Sequence, residues 1–190
     1  MPGSLLLPNP SEPVSNLNIT LQLFNMSYNS KTSPLTFVIV SAEIAEIRID
    51  AKQNSRSLYS RKDFSKDDII AEFGAKETFS QPTYLTVQVG DNEHIELLPE
   101  YLECINHSCS PNCFFNTSTL ELIALRDIAV DEELTFFYPS TEWDMDQAFK
   151  CTCGSKNCIG LVKGARYLSA ENIAKYRFTD FIAGKLKSIL

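Results

Sequence analysis

Three thiols within eight residues constrain this chain more than any other feature: Cys151, Cys153 and Cys158 in the run Phe149-Lys150-Cys151-Thr152-Cys153-Gly154-Ser155-Lys156-Asn157-Cys158-Ile159-Gly160. A tetrahedral zinc takes four thiolate or imidazole donors at about 2.0–2.3 Å, and a Cys-x-Cys turn relaxed by Gly154 supplies two while Cys158 curls back as a third. The fourth donor comes from elsewhere. Cys104, Cys109, Cys113, His94 and His107 all qualify, and spacing alone does not choose among them. The polar neighbours Lys150, Thr152, Ser155, Lys156 and Asn157 argue against a purely hydrophobic role for these thiols. A closed four-cysteine site leaves no position for water or substrate, so the expected metal is a clamp. Its binding free energy is folding free energy for the segment from Phe149 to Leu161.

The redox setting agrees. The N-terminal run Met1-Pro2-Gly3-Ser4-Leu5-Leu6-Leu7-Pro8 has no cation before its apolar triplet, which argues against a secretory signal and for a reducing compartment. There, six cysteines are read as metal ligands or buried thiols and not as a disulfide framework. A length of 190 residues and a hydrophobic fraction of 44% describe one ordinary globular domain. The longest apolar stretch, Leu35 to Ala45, is interrupted by Thr36, Ser41 and Glu43, well short of a membrane span, so no membrane association is expected. Residues 1–149 carry 9 basic and 22 acidic groups, whereas residues 150–190 carry 8 basic and 2 acidic. An acidic body repels phosphate backbones, which argues against direct nucleic-acid binding and suits a cationic partner such as a Lys-rich peptide. No run of five or more Lys/Arg marks nuclear import, so nucleus and cytoplasm are both expected locations.

Periodicity predicts a mainly β chain. Residues 1–16, rich in Pro, Ser and Asn, read as a flexible N-terminal arm. Alternation at Leu17, Ile19, Leu21 and Leu23 predicts a strand, and Leu35 to Val40 a more buried one. Further short strands are predicted near Ile47–Ile49, Ser57–Ser60, Ile69–Phe73, Leu85–Val89, Ile95–Leu98, Leu120–Leu125 and Leu134–Tyr138. His94, after Asp91-Asn92-Glu93, reads as a surface loop residue. The tail differs: Ser169 as N-cap and Phe178, Phe181, Ile182, Leu186 and Ile189 at helical spacing predict a C-terminal helix, with Gly184 a weak point in it.

Two polar runs remain. One is Ile105-Asn106-His107-Ser108-Cys109-Ser110-Pro111-Asn112-Cys113; the other, about 25 residues on, is Asp131-Glu132-Glu133-Leu134-Thr135-Phe136-Phe137-Tyr138. Taken alone, the first is turn chemistry around Ser110-Pro111-Asn112. Together with the Cys-x-Cys-x4-Cys-x-Gly close, in this order and spacing, the three runs resemble the SET-domain lysine methyltransferases that carry a post-SET zinc segment. The resemblance covers roughly Ser55 to Leu161. It implies a mainly β, α+β fold of small curved sheets in which the segments around Asn106 and Tyr138 pass through a knot-like crossing. The implied domains are an arm at 1–16, a SET domain at 17–148, a post-SET zinc segment at 149–165 and a C-terminal helix at 166–190.

The same resemblance implies roles. Asn106 and His107 look like the residues that hold S-adenosylmethionine, together with Ser57, Leu58 and Tyr59, and Phe149 and Leu161 pack on its adenine. Tyr138 looks like the catalytic tyrosine, also touching the cofactor. Cys109 resembles the ligand that joins Cys151, Cys153 and Cys158 around Zn2+. Phe136 and Phe137 line the substrate channel, Phe136 falling where the family alternates Phe with Tyr. The chain departs from the family pattern in having no glycine in Asn54-Ser55-Arg56-Ser57-Leu58, and in carrying Glu103 for the frequent Arg and Phe137 for the common acidic residue. The implied activity is methyl transfer from S-adenosylmethionine to a protein lysine, of a histone or another protein. The amine, of free pKa about 10.4, would be deprotonated within an aromatic channel. A SAM-dependent enzyme acting on a small molecule and a catalytically idle zinc-stapled interaction module are the rival readings.

Overall fold

The computed structural model describes residues 35–41, 44–50 and 55–189; the expected arm, the strand at Leu17–Leu23 and Asn54 lie outside them. Among the described residues thirteen strands follow one another: β1 (Leu35–Ser41), β2 (Ala45–Asp50), β3 (Ser55–Ser60), β4 (Ile69–Glu72), β5 (Gly74–Phe79), β6 (Val87–Gly90), β7 (Glu93–Leu98), β8 (Asn106–His107), β9 (Cys113–Asn116), β10 (Glu121–Ala124), β11 (Thr135–Phe136), β12 (Phe149–Lys150) and β13 (Leu161–Val162). They form three antiparallel three-stranded sheets, ordered β1-β2-β3, β4-β10-β9 and β5-β7-β6, and two two-stranded pairs, β8 with β11 and β12 with β13. The fold is mainly β, as the periodicity and the resemblance both predict.

Each predicted strand within the described residues has its counterpart. The last is cut short, because after Phe136 the chain turns through a 3-10 segment, Tyr138–Ser140, that begins at the proposed reactive tyrosine. Strand β5 escaped the pattern: its centre, Ala75-Lys76-Glu77-Thr78, is exposed, and it is an edge strand held by β7 alone. His94 is buried, contrary to the surface loop expected. The Asp91-Asn92 turn closes the β6–β7 hairpin, so His94 is already the second residue of β7, paired with Gln88 and Phe79.

Phe115 on β9 marks the centre of the core. Fully buried, it meets Phe73 edge-on at 5.3 Å and Phe136 at 4.8 Å, so the β4-β10-β9 sheet is keyed directly to β11. Leu58, Leu122, Leu134, Ile105 and Leu102 fill the space around it. A second cluster gathers Cys109, Cys151 and Val162 with Tyr138, Phe149 and Ile159, and a third seats the tail through Ala165, Ile182 and Leu186.

The C-terminal helical segment is divided in two, α1 (Ala170–Ile173) and α2 (Asp180–Lys187). Ser169 is the predicted N-cap, its hydroxyl accepting from the Asn172 amide, but Thr179 is a second one, accepting from the Ile182 amide. Each such cap stabilises a helix start by about 0.5–2 kcal/mol. Ile182 and Leu186 are the periodic residues that α2 buries, whereas Phe178 precedes it.

Candidate functional site

Strands β8 and β11 are parallel neighbours, Asn106 opposite Thr135 and His107 opposite Phe136. The connection between them contains the β9–β10 hairpin, so two runs far apart in sequence are neighbours in the fold. Strand β3 flanks the approach to β11: the Leu134 amide donates to the Leu58 carbonyl at 2.7 Å, and the Ser60 amide to the Glu132 carbonyl at 2.9 Å.

Asn106 lies where the three segments meet. Its Nδ2 donates to the Arg56 carbonyl at 2.9 Å, to Ser57 Oγ at 2.9 Å and to Glu133 Oε1 at 3.0 Å. A carboxylate, an amide and a hydroxyl thus share one half-buried patch. The Ser57 hydroxyl, in the segment that carries no glycine, is itself one of the acceptors. Leu58 is wholly buried in the core, its carbonyl accepting from the Leu134 amide, and Tyr59 is covered by the Arg48 guanidinium 3.9 Å above its ring.

His107 couples the patch to the tyrosine. The Tyr138 amide donates to His107 Nδ1 at 3.2 Å, which leaves Nε2 to carry the ring proton toward Cys109 Sγ at 3.3 Å. Burial lowers this imidazole to about 4, so it is neutral near pH 7. The Tyr138 ring lies 4.6 Å from Phe136, 5.2 Å from His107 and 5.9 Å from Phe149. Its hydroxyl donates to the Ile105 carbonyl at 3.3 Å, and burial raises the phenol well above its ordinary value, so it stays protonated. Phe137 joins this group through His107, 5.6 Å away, and is stacked on Tyr176 at 3.7 Å and 7°. Leu161 is half exposed on β13, opposite Lys150.

The four sulfurs of Cys109, Cys151, Cys153 and Cys158 lie within 4.8 Å of one another, and Cys109 and Cys151 are 3.9 Å apart. A tetrahedron of Zn–S bonds of about 2.3 Å has S···S edges of about 3.8 Å, so the donor set fits zinc. Of the fourth-ligand candidates, Cys109 alone joins the group; Cys104 and Cys113 are buried elsewhere, Cys113 donating to the Thr135 carbonyl. Burial raises the thiol of Cys151 to about 11, whereas at Cys153 hydrogen bonds outweigh burial and bring it to about 7. The Ile159 amide and His107 Nε2 both point at Cys109 Sγ, an outer shell that favours the thiolate.

Two residues carry more of this arrangement than their sequence context suggests. Asn112, read as a turn former, is 1% exposed: its Nδ2 donates to the Glu133 carbonyl at 2.8 Å and to Glu132 Oε1 at 3.0 Å, and its Oδ1 accepts from the Thr135 amide at 2.8 Å. Tyr176, which no motif marks, donates from its hydroxyl to the Cys109 carbonyl at 2.9 Å. Outside the site, Glu103 is raised to about 7 by burial and by Glu96, and Glu142, accepting from the Gln88 amide, is raised by its own burial beside His94.

Residues 55–139 match the family model described as the SET domain. A protein of Aspergillus flavus named "Methyltransferase flvH" is 46% identical over 113 residues, 56% of this chain and 63% of that protein. The "Histone-lysine N-methyltransferase, H3 lysine-4 specific" of Aspergillus fumigatus is 32% identical over 128 residues, 55% of this chain and 10% of that protein. The Saccharomyces cerevisiae protein of the same name is 40% identical over 65 residues, 30% of this chain and 6% of that protein. The chain therefore spans less than two thirds of the length of each of these relatives. Among the described residues, no helix is long and apolar enough to cross a membrane.

Proposed function

We propose, on the premise that this chain belongs to the SET-domain family, that it is an S-adenosylmethionine-dependent N-methyltransferase whose acceptor is a protein lysine, with histones as the first candidates. The observation that carries the reading is the parallel β8–β11 pair, which sets the Asn106 patch beside Tyr138 while Cys109, two residues after His107, belongs to the sulfur cluster. The family match and the relatives' names support it, the lysine assignment resting on those named for histone H3 lysine 4.

The donor set suits the cofactor. Glu133 and the side-chain oxygen of Asn106 offer acceptors to its ammonium, and the face of Tyr138 suits a sulfonium cation. Bound there, S-adenosylmethionine supplies an electrophilic methyl group on sulfur. Tyr138 and Phe136 disfavour the charged form of an incoming ammonium by removing it from water, so that the amine gives up its proton to solvent. With its own proton engaged by the Ile105 carbonyl, the Tyr138 oxygen accepts an N–H from that amine and aims its lone pair. Tyr138 orients and does not act as a base, since its phenol is held neutral. Zinc would fasten the segment from Phe149 to Leu161 over the centre without touching the acceptor. Phe149, with Leu161 at the far end of that segment, would pack on the cofactor's adenine. Nucleus and cytoplasm both provide the reducing conditions that the thiols require.

Calorimetric titration of S-adenosylmethionine into zinc-loaded protein tests the first half, with Asn106→Ala beside it. A micromolar-range affinity, about −8 kcal/mol, that is lost in the variant is the expected result. Absence of binding by folded, metal-replete protein overturns the reading and leaves a zinc-stapled interaction module. Transfer of a labelled methyl group into histones or other proteins tests the second half; label found only in extractable small molecules replaces the lysine acceptor with a small amine.

A further inference from the structure

The tail that follows the sulfur cluster returns to the centre at one place. Tyr176 donates to the Cys109 carbonyl at 2.9 Å and stacks on Phe137, the residue before Tyr138, at 3.7 Å. Its neighbours tighten the contact: Phe178 meets Phe137 edge-on at 6.4 Å, the Arg177 guanidinium lies over Phe114 at 4.4 Å, and the Thr179 amide donates to the Ser140 carbonyl at 3.0 Å. Tyr176 therefore holds both the turn leaving β8 and the turn leaving β11, Phe178 and Thr179 hold the second turn again, and Arg177 rests on β9.

We propose that Tyr176 is a positioning residue for the proposed reaction, fixing the turn that carries His107 and Cys109 against the turn that begins at Tyr138. The inference rests on the methyltransferase reading for its functional consequence, but not for its geometry. Tyr176 reaches no reacting atom; it acts through two others. Its hydroxyl fixes the Cys109 backbone, and with it the Cys109 sulfur that His107 Nε2 faces. Its ring fixes Phe137, and with it the amide of Tyr138 that His107 Nδ1 accepts. Two tethers on one rigid side chain hold the tyrosine hydroxyl and the Asn106 patch at a set separation. Small displacements of such a centre cost rate more than they cost binding, because orientation is what the site supplies.

Tyr176→Phe keeps the stack and removes only the hydrogen bond, worth about 0.5–1.5 kcal/mol net, or about 2- to 12-fold in an equilibrium. Hydrogen exchange on the zinc-loaded protein gives a readout that needs no turnover. The expected result is exchange about 2- to 12-fold faster at the amides of residues 106–110 and 137–142, with the β5-β7-β6 sheet unchanged and a larger effect in Tyr176→Leu. In turnover, kcat of Tyr176→Phe is expected to fall by a similar factor while KM for S-adenosylmethionine holds within about two-fold. Unchanged exchange at both turns overturns the proposal, as does faster exchange across the whole molecule with a lowered melting temperature, which is the mark of a merely structural residue. Locally faster exchange with an unchanged kcat also overturns it. A wild-type protein that transfers no methyl group overturns the functional reading instead, and the exchange result still decides whether the tether exists.

Discussion

Replacing Asn112 by alanine isolates the clamp that joins the two polar runs. The side chain is buried, and its removal strands the Thr135 amide and the Glu133 carbonyl, each of which it satisfies at 2.8 Å. A buried backbone group that loses its partner costs about 1–3 kcal/mol, so the pair predicts a loss of about 2–6 kcal/mol. Glu132 Oε1 adds little, since it keeps Arg126 at 2.5 Å. With a urea slope of about 2 kcal/mol/M, the unfolding midpoint falls by about 1–3 M, and Trp143, the single tryptophan, reports it by fluorescence. Asn112→Asp sharpens the test. One carboxylate oxygen still accepts from the Thr135 amide, but the other then opposes the Glu133 carbonyl and the Glu132 carboxylate, which raises the new group's folded pKa above its unfolded value near 4. A raised folded pKa means that the aspartate is tolerated below about pH 4 and that stability is lost as pH rises above it, so the deficit against wild type should be larger at pH 7 than at pH 4.5. A loss below about 1 kcal/mol in the alanine variant, or a pH-independent deficit in the aspartate variant, would refute the clamp.

The remaining predictions concern separate parts of the molecule. Glu103, raised to about 7 from an unfolded value near 4.5, contributes stability below pH 4.5 that disappears as pH rises through about 7; thermal melts of Glu103→Gln should therefore gain on wild type at pH 8 and not at pH 4.5. Cys109→Ala should abolish stoichiometric zinc retention measured by mass spectrometry, and proteolysis should then cut within residues 149–162 while the β5-β7-β6 sheet stays intact. Gly164 adopts φ +126°, and a Cβ there would lie 2.5 Å from the Trp143 carbonyl oxygen; Gly164→Ala should cost at least about 1–3 kcal/mol by urea unfolding.

Patterning made much of this molecule legible. Residues that alternate or cluster, as in β2, β3, β4 and β10, announced their strands because one face of each enters the core. The cysteine spacing announced three members of a sulfur cluster but not its fourth, since Cys109 reaches Cys151 only through tertiary folding. Order and spacing of the three motifs, through their likeness to a family, supplied Cys109 where local chemistry did not. What stayed hidden has a common physical cause. Strand β8 is two residues long and shows no period; β5 turns charged residues to solvent; Asn112 belongs to a turn by composition and to the interior by position. Tyr176 lies in a tail of opposite charge to the body, and nothing in its neighbours foretells a stack on Phe137.

The parallel pairing of β8 with β11 also makes the centre a composite of distant pieces of chain. Asn106 meets Thr135 across the β9–β10 hairpin, and the sulfur of Cys109 meets that of Cys151, 42 residues on. Contacts of such sequence separation return energy only once the intervening chain has closed. No single strand or turn contains the place where chemistry is proposed to occur, so damage to any one of these pieces would remove it. Catalytic competence would then report the joining of the pieces, which a spectroscopic signal from one outer sheet does not.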